Sequence, residues 1–292
     1  RTQWSSLDFP YTTSQVSLIM PYYSSKHSKP YGHIGGIGLS VYNDIAGENK
    51  SFRTTGVNTT AAYNLPFDHN FINQITFGLQ IGMINKNIDT SKLQWGEQYS
   101  PFVGFDSSIT ASEVGNFQNR TFIDVNSGIF WWYNPIDSHN KVISSINSGI
   151  SIAHLNNPNE SVLSAKKSHL PLLYKYHGSV LFNVAKNATI SANVLVAFQK
   201  STAQQNIGSY FSYKVNNTSD SYFKDTIIRF GAWVRFNDSA ILLTEMETSA
   251  FKFAFSYDMN TSSLRYNNRG IGTYEIHIGL KFTQNAHPKS RY

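Results

Sequence analysis

Apolar and polar residues alternate with a period of two along most of this chain. From Gln74 to Met83, every odd-numbered residue is apolar and every even-numbered residue is small or polar. Because the side chains of a β-strand point alternately to opposite faces, this pattern is typical of strands and not of helices. Similar alternation recurs in about thirteen stretches, so the sequence predicts an all-β protein.

The chain of 292 residues shows no linker and no break in composition. A β barrel often exceeds about 200 residues as one domain, so we expect a single barrel domain over 1–292 with a short polar tail at 283–292. A barrel with both termini on one side needs an even number of strands. The odd count therefore indicates either one missed strand or a partial strand before Tyr11, such as 1–6 paired with residues further upstream. We expect about fourteen strands, with twelve as the fallback.

The composition indicates a surface that does not face water alone. Charged residues make up 14% of the chain, against about 25% in a typical soluble protein. Lysines and arginines are scattered without a basic stripe, which argues against a nucleic-acid partner. The chain has no cysteine, which excludes a disulfide framework. No apolar run is long enough for a transmembrane helix, so a membrane-spanning form of this chain must be a barrel.

Two architectures fit the alternation, a soluble β sandwich or barrel and an outer-membrane barrel that contacts lipid. Several predicted strands reach the length of about 9 to 11 residues that spans a bilayer, and their polar faces hold mainly Gly, Ser, Thr, Asn and Gln. We therefore predict a transmembrane antiparallel up-and-down β barrel in the cell outer membrane. Arg or Lys on the lipid face costs roughly 2 to 4 kcal/mol at the midplane, so Arg229, Arg235 and Lys252 are expected to face the lumen.

The last four predicted strands carry charges of both signs on their lumenal faces. Charges on adjacent strands can pair in a partly desolvated interior. Such pairing predicts either a structural network that closes the lumen or a gated passage or binding site for an inserted segment. The residues are Arg229, Arg235, Glu245, Glu247, Lys252, Asp258, Glu275, His277 and Lys281.

The final strand places five apolar residues on the opposite, lipid-facing side. We interpret this set as the signal for barrel closure and membrane insertion. It consists of Tyr274, Ile276, Ile278, Leu280 and Phe282.

Two polar connections, at 44–58 and 86–120, are candidates for partner docking, because loops on a rigid barrel commonly carry recognition. Solvated loops without a partner are the alternative. The candidate docking carboxylates are Asp44, Glu48, Asp89, Glu97, Asp106 and Glu113. The sequence contains neither an HExxH pattern nor a Gly-x-Ser-x-Gly elbow, so we predict no catalytic, metal or cofactor site.

Several stretches, in their order along the chain, resemble the PorP/SprF family of the Bacteroidetes type IX secretion system. They are RTQW at the start, GHIGGIGLSVYND at 32–44, TFGLQIGMINKNIDTSKLQWGEQ at 76–98, FAFSYDM at 253–259 and GTYEIHIGLKF at 272–282. The resemblance implies a non-enzymatic outer-membrane barrel that serves protein secretion and gliding motility. It also implies partners: a secreted surface protein, such as an adhesin with a type B C-terminal domain, or other components of the secretion and motility machine. An anchor for the periplasmic ring of that machine and a passive transport channel are the alternatives.

Overall fold

The computed structural model describes residues 1–5, 9–23, 33–67, 72–135, 142–215, 223, 225–263, 265–268 and 270–282. Within these residues, fourteen strands form a closed barrel in sequence order, and neighbouring strands lie antiparallel. The predicted fold class and the predicted strand count are both confirmed. The polar tail predicted at 283–292 lies outside the described residues.

The described residues form sixteen strands, of which all but the sixth and seventh belong to the barrel. In chain order they are β1 (Thr2–Gln3), β2 (Tyr11–Tyr23), β3 (His33–Ala46), β4 (Phe52–Pro66), β5 (Asn73–Ile88), β6 (Tyr99–Ser100), β7 (Gly104–Phe105), β8 (Arg120–Tyr133), β9 (Ile143–Ala153), β10 (Leu173–Ala185), β11 (Ala188–Gln199), β12 (Thr202–Lys214), β13 (Ile227–Arg235), β14 (Ser239–Glu247), β15 (Phe251–Asn260) and β16 (Ile271–Leu280). Short 3-10 turns occur at Glu48–Lys50, Thr90–Lys92, Gly96–Gln98 and Ser112–Asn116, and α1 (Arg265–Asn268) is a single helical turn.

The barrel has two different ends. The C-terminal end is the one at which β16 finishes, and the short connection at 248–250 lies there. The loop end is the opposite one, and it carries the two long connections at 89–119 and 154–172. Among the described residues, no helix has the length and apolar character needed to span a membrane.

Barrel closure depends on β1, which lies between the last strand and the first long one. Thr2 pairs with Tyr274 of β16 on one side and with Thr12 of β2 on the other. The ladder continues beyond the strand, because the backbone N–H of Trp4 donates to the carbonyl of Gly272 at 2.9 Å. A partial strand near the start was predicted correctly, but its predicted partner was wrong, since it pairs with β16 and not with upstream residues.

The two faces of each strand differ as the period-two pattern predicts. On β16, Ile276 and Ile278 lie on the outer face with 56% and 71% of their surface exposed. Thr273, at an odd-numbered position, is only 5% exposed on the inner face. On β8 the inner face holds buried Phe122 and Asp124, while Ile123 between them is exposed. Exposed apolar side chains on the outside match a surface that contacts hydrocarbon.

Large aromatic side chains on the inner face cover glycines of the neighbouring strand. Trp233 of β13 lies over Gly208 of β12, and Tyr210 of β12 lies over Gly231 of β13. The two rings meet edge to face, with centroids 5.8 Å apart. A Cβ atom on Gly208 would stand 2.1 Å from the Trp233 ring, so this position requires glycine. Packed aromatic groups therefore line the inner wall here.

A charge placed on the outer face of β16 should destabilise the barrel in lipid. We expect Ile276→Arg to lower the free energy of unfolding by roughly 2 to 4 kcal/mol, the cost of a lipid-facing cation near the midplane. The neighbouring residue His277 faces the lumen, so His277→Arg should alter the free energy of unfolding by less than about 0.5 kcal/mol. Denaturant unfolding in lipid vesicles measures both. Equal effects at the two positions would contradict the assignment of the faces.

Candidate functional site

One group of predicted lumenal charges lies at the C-terminal end of the inner wall, and we call it the C-end cluster: Arg229, Glu245, Glu247, Lys252 and Lys281. The guanidinium of Arg229 bonds the carboxylates of Glu245 and Glu247. Lys252 pairs with Glu245 at 2.8 Å, and Lys281 pairs with Glu247. Glu245 is 9% exposed. These ion pairs connect β13, β14, β15 and the end of β16.

A second group of charges, Arg235 with Asp238 and Asp258, lies towards the loop end of the same strands. Arg235 donates to Asp238 at 2.9 Å and lies 3.5 Å from Asp258. Its Nε also donates to the side-chain carbonyl of Asn206 on β12 at 3.1 Å. The predicted charge network is therefore two separate groups and not one. Whether either group is structural or forms part of a gate stays a prediction.

Two members of the predicted network stand apart from both groups. Glu275 and His277 lie on the inner face of β16, and within the described part of the chain they have no ion-pair partner. The five apolar residues of the proposed insertion signal lie on the outer face or just after the strand, where Phe282 is 82% exposed. Their role in insertion stays a prediction.

The loop end carries the larger candidate site, formed by the two long connections 89–119 and 154–172, which we call the cap. Their backbones pair, because the N–H of Gln118 donates to the carbonyl of Val162 at 2.8 Å and that of Ser164 donates to Asn116 at 2.9 Å. The rings of Trp95 and Phe117 lie 5.6 Å apart. The two connections thus form one packed unit.

Lumen-facing side chains attach the cap to the barrel mouth. Lys86 of β5 forms an ion pair with Glu160 of the cap. Asp124 of β8 accepts a hydrogen bond at 2.8 Å from Nδ1 of His154 when that nitrogen is protonated. The side-chain amide of Asn156 donates to the carbonyl of Ile123 at 2.7 Å. The cap is therefore held by several side chains, which restrict its movement relative to the barrel.

The predicted docking carboxylates of the 89–119 connection bond their own loop. Glu97 accepts hydrogen bonds from the hydroxyl and the backbone N–H of Ser112, at 2.6 and 2.7 Å. Asp106 accepts in the same way from Ser108. Both hydrogen bonds lower the pKa of each carboxylate below its usual value, and the one from the hydroxyl has the larger effect. Hydrogen bonds from the Ser91 hydroxyl and, to a smaller extent, from Lys92 lower the pKa of Asp89.

These contacts change the interpretation of the docking residues. The carboxylates of Glu97 and Asp106 shape the loop by bonding within it. Glu113 follows in the last 3-10 turn of the connection.

The other predicted docking connection is shorter than expected. Asp44 was predicted to lie in a loop, but it lies within β3, where it accepts a hydrogen bond from the Thr13 hydroxyl at 2.7 Å. β3 and β4 remain paired up to Ala46 and Phe52, so the connection is reduced to 47–51. Glu48 lies in the 3-10 turn of that connection. Arg53, Thr54 and Thr55 at the start of β4 had concealed the strand.

The prediction missed the charges that attach the cap. Lys86 and Arg120 were included in a long loop, although each continues the inward parity of β5 or β8. Arg120 donates through Nε to the carbonyl of Asn159 at 3.1 Å. Extending the alternation by a few residues would have placed both side chains on the inner face. His154 and Glu160 carry no such pattern.

A recess of about 430 Å³ lies on the inner wall near the cap. Its lining includes Gln80, Asn126, Lys175 and His177. Among the described residues, no group of three His, Cys, Asp or Glu side chains could hold a metal ion.

Comparison with known proteins points to a single family. The family model described as type IX secretion system membrane protein PorP/SprF matches residues 1–280. No curated protein matches the chain. Among solved structures, BamA from Haemophilus ducreyi lacking POTRA domains 1–3 is similar at 11% identity and a TM-score of 0.44. That alignment covers 94% of this chain and 64% of the BamA chain.

Removing the central cation of the C-end cluster should be costly. We expect Arg229→Met to lower the free energy of unfolding by about 2 to 3 kcal/mol, because it leaves nearly buried carboxylates with fewer partners. Access of water to the site keeps the loss below that of a fully buried pair. The matched control is Lys214→Met. Lys214 forms an ion pair with Asp225, and both side chains are about half exposed. This substitution should change stability by less than about 0.5 kcal/mol. Equal losses in denaturant unfolding would show that the cluster adds no more stability than an exposed ion pair.

Acid should loosen the 89–119 connection. The pKa of Glu97 is lowered in the folded loop, so its contact with Ser112 is fully present above the ordinary carboxylate range and is lost as the pH falls through the lowered pKa. Amide hydrogen exchange, corrected for the intrinsic rate, should show falling protection at Ser112 in that window. Glu97→Gln should lower this protection at neutral pH and remove the acid response. An unchanged response in that variant would contradict the assignment.

Proposed function

Since this chain belongs to the PorP/SprF family of type IX secretion system membrane proteins, we propose that its loop end binds a secreted surface protein and holds it at the cell exterior. The chain is an outer-membrane β barrel of that system. In outer-membrane barrels the longer loops face outwards and the short turns face the periplasm. The cap is then the outermost part of the molecule.

The observation that carries this proposal is the construction of the cap. Two long connections pack on one another and attach through Lys86, Arg120 and Asp124 to the inner wall. A loop that only linked two strands would need a few residues, whereas these connections span 89–119 and 154–172. A fixed, elaborated surface at one end of a rigid barrel is typical of recognition.

The bound protein in this proposal is an adhesin that carries a type B C-terminal domain, and its retention would support gliding motility. Family membership implies contact with other components of the secretion system as well. The barrel in this account performs no catalysis, because positioning a secreted protein requires binding energy and no chemical step. Its inner wall of ion pairs and packed aromatic groups supports the cap mechanically.

Deletion of the protein in its own cell tests the proposal. We expect one secreted adhesin to disappear from the cell surface, with at least a ten-fold loss by surface labelling, while other secreted proteins are exported normally. Re-expression of the wild-type chain should restore it. Lys214→Met, which alters an exposed ion pair on the wall, should restore it equally. Normal surface retention of every such protein in the deletion strain would contradict the proposal.

A further inference from the structure

The 89–119 connection of the cap contains a hairpin with an exposed apolar tip. β6 and β7 pair through Tyr99 with Phe105 and Ser100 with Gly104. Between them, Phe102 is 97% exposed and Val103 is 78% exposed. We call Phe102 and Val103 the hairpin tip. Unlike the apolar residues of the barrel wall, the tip belongs to a connection at the loop end, where hydrocarbon does not cover it. Exposed apolar groups that project together typically mark an interaction site.

The base of the hairpin is held firmly. The N–H of Asp106 donates to the carbonyl of Gln98 at 2.8 Å, and the side-chain amide of Gln98 donates to the carbonyl of Ile109 at 2.8 Å. The N–H of Trp95 donates to the side chain of Gln98 at 3.0 Å. Gln98 is itself buried. A tip presented on an ordered base loses little conformational freedom on binding, which favours affinity.

The connection that carries the tip has a net negative charge. The 89–119 connection contains four carboxylates and one lysine, Lys92, which leave a net charge of −3 on a chain whose total is +6. Glu97 and Asp106 are ionised at neutral pH, as exposed carboxylates are, and hydrogen bonds lower the pKa of both further. The tip therefore belongs to a connection of net negative charge.

We propose that the hairpin tip is the anchor of a docking surface for a protein with an apolar pocket rimmed by Lys and Arg. The proposal rests on the proposed function, because the partner is then the secreted surface protein. Charge complementarity selects this occupant, as an acidic surface attracts a basic rim. A membrane surface is disfavoured, because anionic lipid headgroups attract basic segments and repel acidic ones.

Phe102 should contribute most of the binding energy. Aromatic side chains that fill a desolvated pocket dominate protein interfaces, while their neighbours contribute little. We expect Phe102→Ala to weaken partner retention at least ten-fold and Phe102→Trp to preserve most of it. Tyr266→Ala is the matched control, since Tyr266 is an aromatic residue 76% exposed at the same end of the barrel. That change should have no effect.

Charge reversal tests the chemistry of the rim. Lys92 lies in a 3-10 turn of the same connection, and its side chain is 44% exposed. Lys92→Glu makes the connection more acidic, so it should speed association with a basic partner, most of all at low salt. Slower association would overturn the proposed charge of the partner.

The direct experiment places a photo-reactive phenylalanine analogue at position 102 of the protein in its own outer membrane. The expected result is a cross-link to the secreted surface protein, at apolar residues flanked by Lys or Arg, that does not form from position 266. A cross-link to lipid alone, to a second copy of this chain, or equally from both positions would overturn the proposal. The deletion strain separates the two claims. If deletion releases the surface protein but Phe102→Ala retains it, only the hairpin anchor is wrong.

Discussion

The structure depends on one constraint, the cost of leaving polar groups without partners in hydrocarbon. An unpaired backbone N–H or C=O there costs several kcal/mol, so a spanning sheet must close on itself. The two residues of β1 complete that closure by pairing with both β16 and β2. The same cost, applied to charged side chains, assigns the faces of every strand. Arg229 and Arg235 lie inside, whereas the exposed apolar residues of the wall, such as Ile276 and Ile278, lie outside.

Alternation predicted the strands and which residues share a face, because a period of two is set by backbone geometry and is independent of the partner strand. It failed where polarity hid a strand end. Asp44 and Lys86 were placed in loops, although both extend a strand at its inner face. The cap could not be predicted, because its contacts join segments far apart in sequence, as Asp124 and His154 show. Distance in sequence also concealed that Glu97 binds Ser112 within its own loop.

Charge and apolar surface are distributed differently along the barrel axis. The C-end cluster ties the last four strands together with ion pairs that are mostly shielded from water. At the other end, the ion pair of Lys86 with Glu160 attaches the cap to the inner wall, and the aromatic hairpin tip of the cap is exposed. One sheet therefore provides a rigid wall, and two inserted connections provide the surface that a partner would meet. This division is the physical basis of the proposed role in retaining a secreted protein.

The most direct test of this account is a spin-label scan of β16 in lipid vesicles. The chain contains no cysteine, so single cysteines can be placed at each position from Tyr274 to Lys281 and labelled without background. The account predicts that collisions with oxygen, which concentrates in hydrocarbon, peak at 274, 276, 278 and 280, and that collisions with a water-soluble nickel complex peak at the odd positions. A uniform profile, or water contact at the even positions, would contradict the barrel and its lipid-facing side.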